Sequence, residues 1–288
     1  MRIGLLTDLK SHGVDFLARS GFGSFELLVW PGALFDPQTV TPRQIDQLKQ
    51  QLAEHDIELS ALGYYPNHLD PKEQPATREH FVALLKLARQ LGTDVIGTFA
   101  GREPEKSIAD NIPAFRAYWS EMARRAEDLG VKIAFENCPM FHGHPFRGTN
   151  IAFTPRAWEL MFDAVPSPAL GLEWDPSHLI CLLIDPVPTI RAFGPKIYHV
   201  HAKDAEVRWH VVREQGIFDE HAVRHRMPGL GQVNWREVVS ALIEAGYRGN
   251  LDIEGAHDPV YGGALEEAGL LVGLSALRQY VPPTTSRK

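Results

Sequence analysis

The 288-residue sequence predicts a single (β/α)8 TIM barrel. Short β-rich runs alternate eight times with longer amphipathic segments, which is typical of βαβ units around a parallel sheet. Barrels of roughly 250 residues form one domain, so the length is compatible with one closed unit. No Gly-x-Gly-x-x-Gly pattern follows the first run, and an open dinucleotide-binding sheet therefore has less support.

The eight predicted strands are short runs spread along the chain. They begin near Ile3, Phe25, Ile57, Val95, Lys132, Leu170, Ile197 and Asn250. Eight such units fit a closed barrel better than an open doubly wound sheet, although the count alone leaves closure open.

The amphipathic segments between the strands carry helix start and stop signals. Thr41 is a predicted N-cap, and Pro42 occupies the first helical position after it. Gly92 and Gly130 follow two other segments as predicted C-caps. The predicted helices cover residues 41–54, 77–91, 112–129, 154–164 and 234–245.

The predicted barrel spans residues 1–281, and residues 282–288 are expected to form a frayed C-terminal tail. One long connection runs from Asp204 to about Gly231. Connections of that length in compact domains tend to be lids or binding loops.

Composition excludes several classes of protein. The net charge of −7 disfavours a nucleic-acid partner, which usually requires a basic face. The two cysteines, Cys138 and Cys181, form no Cys-x-x-Cys pair, so a disulfide framework or structural zinc knuckle is disfavoured. The first residues resemble a strand rather than a signal peptide, and no run has transmembrane length. We therefore expect a cytoplasmic protein with no membrane partner.

Four side chains of metal-ligand type lie at the ends of strands five to eight. They are Glu136, Asp175, His201 and Glu254. These strands are neighbours around a barrel, so their C-terminal ends can bring the side chains to one point. Three carboxylates and one imidazole suit Mn, Mg, Co or Zn. Because unpaired buried carboxylates are costly, the set predicts one divalent metal ion.

Further polar residues precede these positions by two or lie on another strand. His199 is expected to be a buried, hydrogen-bonded residue, since His201 lies nearer the strand end. Glu173 and Asp252 are placed to support Asp175 and Glu254 from deeper in the barrel. Glu26, inside the second strand, is expected either to form a core salt bridge or to hold residues around the ligands.

The segment after the third strand, Tyr64-Tyr65-Pro66-Asn67-His68, is another feature with two interpretations. An aromatic wall with an amide and an imidazole suits a sugar ring, and His68 is the predicted substrate contact. Pro-Asn is also ordinary turn chemistry.

Five motifs, taken in order, point to a known family. They are Phe135-Glu136-Asn137, Asp175-Pro176-Ser177-His178, His199-Val200-His201-Ala202-Lys203-Asp204, Pro228-Gly229-Leu230-Gly231 with Trp235, and Ile253-Glu254. The ordered set resembles the xylose isomerase-like TIM barrels over nearly the whole chain. That superfamily includes sugar isomerases, ketose epimerases, inosose dehydratases and endonuclease IV.

The resemblance implies roles for particular residues. It implies that Glu136, Asp175, His201 and Glu254 bind the metal, and that the two glutamates also exchange protons with a substrate carbon. It implies substrate contacts for His178, for Lys203 and for one arginine of the long connection. That arginine is Arg224 or Arg226, and Arg226 is the one predicted.

The chain departs from the DNA-repair branch of this superfamily. Endonuclease IV holds three metals with ligands from nearly every strand end, whereas strands one and four here offer no clear ligand. The acidic charge balance also disfavours a DNA substrate.

The leading functional prediction is a divalent-metal-dependent isomerase or epimerase that acts on a sugar or polyol through a metal-bound enediolate. The alternative is a metal-dependent lyase or dehydratase acting on keto-sugars, inososes or 3-keto-glycosides, for which the polar stretch from Glu206 to Arg226 can hold a leaving group. A third alternative is a non-catalytic sugar-binding barrel. The sequence leaves the sugar, the metal and any homo-oligomeric state open.

Overall fold

Eight parallel strands close into a barrel in this computed structural model, which describes residues 1–142 and 147–282. The barrel strands are β1 (Ile3–Thr7), β2 (Ser24–Leu28), β3 (Glu58–Gly63), β4 (Val95–Thr98), β5 (Lys132–Glu136), β6 (Leu170–Trp174), β7 (Ile197–Ala202) and β8 (Leu251–Ile253). Each strand pairs with its neighbours in chain order, and β1 pairs with β8 to complete the circle. The predicted fold class is confirmed.

The strand starts agree with the sequence patterns to within one residue. Five begin where predicted, and the others begin at Ser24, Glu58 and Leu251. Such agreement is expected because each barrel strand is a short apolar run, which leaves few positions at which the strand could begin.

Ten helices occur among the described residues. They are α1 (Val14–Ser20), α2 (Pro42–His55), α3 (Gln74–Leu91), α4 (Ile108–Leu129), α5 (Pro155–Ala164), α6 (Pro176–Cys181), α7 (Pro186–Phe193), α8 (Trp209–Gln215), α9 (Trp235–Glu244) and α10 (Glu266–Arg278). Gly194–Lys196 and Gly263–Leu265 are short 3-10 turns. No helix among these residues is both long and apolar enough to span a membrane.

The capping signals read from the sequence act as expected. Thr41 and Gln44 form a reciprocal capping box at the start of α2. Gly92 and Gly130 adopt left-handed conformations after α3 and α4, with φ of 89° and 64°. The structure begins α4 four residues before the predicted start, at Ile108, because the Ser107 hydroxyl accepts a hydrogen bond from Asp110 N at 3.1 Å.

Five helices lie outside the predicted ranges. Four of them, α1 and α6 to α8, are only six to eight residues long, too short for a clear 3.6-residue pattern. The fifth, α10, contains Gly269 and Gly273, which lower its helical propensity. A Cβ at either glycine would come within 3 Å of a neighbour, so close packing explains both.

The long connection after β7 is ordered. Its strands Asp204–Val207 and Val223–Arg226 pair antiparallel, and α8 lies between them. We call residues 204–226 the ribbon. A second two-stranded hairpin joins Phe141–His142 to Arg147–Gly148 in the loop after β5. The predicted tail, residues 282–288, lies outside the described residues except for Pro282, and the domain limits remain a prediction.

Apolar side chains fill the layer between strands and helices, including the fully buried Trp119, Trp158 and Trp174. The inside of the barrel is different, because glutamate, aspartate and histidine side chains are buried there alongside apolar ones. Buried charge of this density requires internal partners or a bound ion.

Candidate metal and substrate site

The four predicted ligands converge at the C-terminal end of the barrel. Glu136 ends β5, Asp175 follows β6, His201 lies near the end of β7 and Glu254 follows β8. One ligand atom from each lies within 4.8 Å of the others. We call these residues the upper cluster. The convergence follows from barrel closure, which places equivalent ends of neighbouring strands side by side.

Local structure holds one of the four side chains, that of Asp175. Asp175 caps α6, where its Oδ1 accepts a hydrogen bond from Ser177 N at 2.7 Å. Asn137 fixes the same residue through its backbone: its Nδ2 donates to Asp175 O at 2.8 Å, and its Oδ1 accepts from Asp175 N at 2.7 Å. Asn137, directly after β5, thus joins the C-terminal ends of β5 and β6.

The upper cluster fits a divalent cation because it has unsatisfied ligand atoms. Among the described residues, Asp175 Oδ2 and His201 Nδ1 are buried without a hydrogen-bond partner. Lys203 Nζ lies 3.0 Å from Asp175 Oδ2 but not in hydrogen-bonding geometry. Buried polar atoms are rarely left unpaired, and these two lie in a group of oxygen and nitrogen donors typical of Mn, Co or Zn sites.

Below the upper cluster, Glu26, Glu173, His199 and Asp252 form a second buried layer, here called the lower network. His199 Nδ1 lies 2.7 Å from Glu173 Oε1, and its Nε2 lies 2.9 Å from Asp252 Oδ2. Burial and the neighbouring Glu26 raise the pKa of Glu173 to about 7. Burial opposes the imidazolium of His199, but Asp252 and Glu173 outweigh it and raise its pKa to about 10.

The lower network shows the partners of three residues whose roles the sequence left open, namely His199, Asp252 and Glu26. His199 is buried and hydrogen-bonded on both sides, as expected. Asp252 supports His199, Ser24 and Ser60 rather than Glu254. Glu26 accepts from His201 Nε2 at 2.7 Å, so it is a core ion-pair partner that also touches a predicted ligand.

Two further cationic groups lie against the upper cluster. Lys203 is fully buried, and its Nζ lies 2.5 Å from Glu254 Oε2 and 3.2 Å from His178 Nε2. Burial disfavours the ammonium, yet Asp175 and Glu254 raise its pKa well above 10.5. His178 Nε2 lies 3.3 Å from Glu136 Oε1. Burial opposes ionisation of Glu136, but the nearby imidazoles of His178 and His201 lower its pKa to about 2.

A cavity of about 530 Å³ opens above these residues. One wall is polar and contains Glu136, His178, His201, Lys203 and Glu254. The opposite wall is apolar and aromatic, with side chains from the first four strands and the loops that follow them: Leu5, Leu6, Leu28, Trp30, Tyr65 and Phe99. A ligand that fits both walls has polar oxygens on one side and a hydrocarbon face on the other.

The structure adds two histidines that the sequence did not place in the site. His225, on the ribbon, lines the cavity with its ring 4.9 Å from that of His178, and its Nδ1 is buried without a hydrogen-bond partner among the described residues. Burial, then Lys203 and His178, lowers its pKa well below 6.5. His257 also lines the cavity, with Nε2 3.1 Å from Glu254 Oε1. The sequence could have indicated this position for His225. Side chains alternate between the two faces of a strand, so His225 points away from Arg224 and Arg226.

Two predicted substrate contacts are corrected by the structure. His68 is fully buried, with Nδ1 2.9 Å from Tyr118 Oη and Nε2 3.0 Å from Thr98 Oγ1, so both ring nitrogens are occupied in the core. Burial lowers its pKa to about 3. Arg226 does not line the cavity; its guanidinium contacts Asp258 at 3.0 Å and Glu206 at 3.2 Å.

Comparison with known proteins agrees with this architecture. The family model for the xylose isomerase-like TIM barrel matches residues 14–280. The chain belongs to the xylose isomerase-like TIM barrel family. Among curated proteins, an inosose dehydratase of Bacillus cereus is 28% identical over 79% of this chain and 78% of its own length.

Two solved structures share the fold. D-psicose 3-epimerase from Clostridium cellulolyticum H10 superimposes with a TM-score of 0.72 at 18% identity, covering 97% of this chain and 99% of the other. The IolI protein, solved with a zinc atom, gives a TM-score of 0.73 at 20% identity, covering 98% and 99%.

Proposed function

We propose that the protein is a divalent-metal-dependent isomerase or epimerase of a sugar or sugar-like polyol. The observation that carries this proposal is the position of Glu136 and Glu254. Both carboxylates belong to the same compact cluster and both line the cavity. Two carboxylates beside one substrate carbon provide one group to remove a proton and another to return it.

Glu136, Asp175, His201 and Glu254 would hold the metal. The unsatisfied atoms of Asp175 and His201 support this assignment, and the zinc atom of the similar IolI structure is consistent with it. A divalent ion there supplies Lewis-acid stabilisation to adjacent carbonyl and hydroxyl oxygens of the substrate, which lowers the pKa of the neighbouring C–H.

The remaining chemistry belongs to the chain's own groups. One glutamate removes the proton next to the carbonyl. Isomerisation follows when a proton returns to the former carbonyl carbon and the proton of the adjacent hydroxyl passes to the former carbonyl oxygen. Epimerisation follows when a proton returns to the original carbon on its opposite face. Lys203 Nζ and His178 Nε2 are buried donors beside the glutamates, so they are placed to bind and orient substrate oxygens. The apolar wall excludes water from this step.

A metal-dependent lyase is the second candidate, and a specific observation favours it. A lyase needs a base for the carbon proton and an acid for the leaving oxygen. Lys203 lies 2.5 Å from Glu254, so an ammonium donor and a carboxylate base are adjacent. The inosose dehydratases among the curated relatives are consistent with such chemistry. The third possibility, a non-catalytic sugar-binding barrel, has less support because three buried carboxylates are a costly way to bind a neutral sugar.

A screen of keto-sugars and inososes in deuterated water tests the proposal. An isomerase or epimerase conserves substrate mass and places solvent deuterium at the carbon next to the carbonyl. A lyase releases water or an aglycone and yields an unsaturated ketone with new ultraviolet absorbance. A stoichiometric leaving group from the best substrate would replace the leading proposal by the lyase.

Shortening the ribbon sharpens this distinction. Residues 208–221 of the ribbon do not line the cavity, so only a leaving group that extends beyond the sugar would need them. Their removal, which leaves His225 in place, should therefore harm a glycoside lyase far more than an epimerase of free sugars. Metal content should be measured in parallel, because it shows that the site itself has survived the deletion.

A further inference from the structure

His201 connects the upper cluster to the lower network through its two ring nitrogens. Nδ1 faces upward and lies 3.4 Å from Glu136 Oε1 and 3.3 Å from Glu254 Oε2. Nε2 faces downward and lies 2.7 Å from Glu26 Oε2. The ring is buried, with 1% of its surface exposed.

Glu26 is itself held in place from the opposite side. The Tyr65 hydroxyl lies between two carboxylates, contacting Glu26 Oε1 and lying 2.7 Å from Glu173 Oε2. His199 Nδ1 lies 3.6 Å from Glu26 Oε2. Glu26 therefore cannot rotate away from His201 without losing its contact with Tyr65.

Glycines on neighbouring strands make room for this arrangement. A Cβ at Gly63 would lie 2.4 Å from Glu26 Oε1. A Cβ at Gly97 would lie 2.3 Å from Glu173 Oε1 and 2.7 Å from the Tyr65 hydroxyl. Any larger residue at these positions would displace the carboxylates, so β3 and β4 are shaped around the contact between Glu26, Tyr65 and Glu173.

We propose that Glu26 is the positioning residue for the metal-binding imidazole of His201. An ionised carboxylate only accepts hydrogen bonds, so Nε2 must donate to it. The lone pair then stays on Nδ1, the atom that faces the other three ligands. A carboxylate in this position also makes the imidazole a more basic ligand and fixes the plane of its ring. This inference rests on the metal site of the proposed function.

The alternative is that Glu26 only balances charge inside the barrel. Such a role would affect folding stability but would leave the environment of the bound metal unchanged. The metal's own spectrum and affinity therefore distinguish the two roles.

The test uses Co²⁺ as the probe, with the full-length Glu26→Gln variant. Glutamine keeps the shape of the side chain but removes its charge. Ser24→Ala is the matched control, because Ser24 is the residue two positions earlier on β2 and contacts Asp252 at 2.8 Å rather than His201. Affinity is measured by chelator competition, and the coordination geometry by the visible absorption of bound Co²⁺.

We expect Glu26→Gln to bind Co²⁺ about 10- to 100-fold more weakly, with a shifted visible spectrum. Ser24→Ala should match the wild type in both measurements. A folded Glu26→Gln protein with wild-type affinity and spectrum would overturn the inference. A wild-type chain that binds no Co²⁺ would instead overturn the proposed metal site, so the two failures are distinct.

Tyr65→Phe covers the case in which Glu26→Gln does not fold. It leaves the charge of Glu26 in place and removes only the hydroxyl that holds the carboxylate. We expect a shifted Co²⁺ spectrum and a several-fold loss of affinity. Wild-type values for both in the Tyr65→Phe protein would overturn the inference.

Discussion

The upper cluster and the lower network use the same kinds of side chain in the same barrel but differ in how their polar atoms are satisfied. In the lower network, His199 has a carboxylate within 2.9 Å on each side. In the upper cluster, Asp175 Oδ2 and His201 Nδ1 have no hydrogen-bond partner among the described residues. Composition alone therefore does not locate a metal site, since Glu26, Glu173, His199 and His201 also form a compact group of ligand type. The unsatisfied atoms indicate which layer holds the ion.

The largest expected effect concerns the two upper glutamates. Glu136→Gln and Glu254→Gln should each reduce turnover by about 10²–10⁴-fold, because each removes a proton-transfer group. The measurement is solvent-deuterium incorporation into the best substrate, with circular dichroism to check the fold. Glu159→Gln, at an exposed position on α5, is the control and should keep full turnover. Near-native turnover in either cluster variant would show that the glutamate binds the metal but does not transfer a proton.

Metal stoichiometry tests whether the two layers differ in function. We expect one divalent ion per chain by elemental analysis, because only the upper cluster has unsatisfied ligand atoms among the two layers described. Asp175→Ala and His201→Ala should lose that ion. Two ions per chain would show that the lower network also binds metal. Full metal content in both variants would show that the ion binds elsewhere in the protein.

Removing a partner in the lower network should mainly affect stability. Asp252→Ala leaves the imidazolium of His199 without one of its two carboxylates, and such losses typically cost about 3–5 kcal/mol. The measurement is the urea midpoint of the metal-free protein. A change below about 1 kcal/mol would show that Glu173 alone is enough to balance His199.

The pH dependence of metal affinity links the two layers through His201. Burial opposes the imidazolium of His201, but Glu173 and Glu26 outweigh it and raise its pKa well above 6.5 in the metal-free protein. A proton on Nδ1 competes with the ion, and raising the pH removes the competitor. The apparent affinity for Mn²⁺ should therefore increase with pH, by up to about tenfold per unit for one displaced proton. Isothermal titrations between about pH 6 and pH 8 would measure this slope, and a flat profile would argue against His201 as a ligand.

The smallest expected effect is at the cavity wall. His225→Ala should raise KM several-fold with a smaller change in kcat. His225 lines the cavity and contacts the ring of His178, but among the described residues it makes no hydrogen bond or ion pair with the upper cluster. His210→Ala is the matched control, since His210 is exposed on α8 of the same ribbon. Equal KM values in the two variants would show that His225 does not contact the substrate.

The sequence predicted the strands and the four converging residues because both follow from local rules. A barrel strand is a short run with alternating faces, and its C-terminal end lies at the active face, so its inward residues there can reach the site. Glu136, Asp175, His201 and Glu254 each carry this information within their own strand, so no distant contact was needed to bring them together.

Only the tertiary structure decided the positions and partners of three side chains, those of His68, Arg226 and His225. His68 bonds to Tyr118, which lies 50 residues further along the chain, and Arg226 pairs with Asp258, 32 residues away. His225 faces the cavity because the ribbon folds back over α6 and turns one edge inward. The sequence by itself determined the barrel and the strand-end residues, whereas the partners of loop side chains depended on closure of the fold. Loop side chains adopt whichever distant partner satisfies their charge, and no periodic pattern in the chain records that choice.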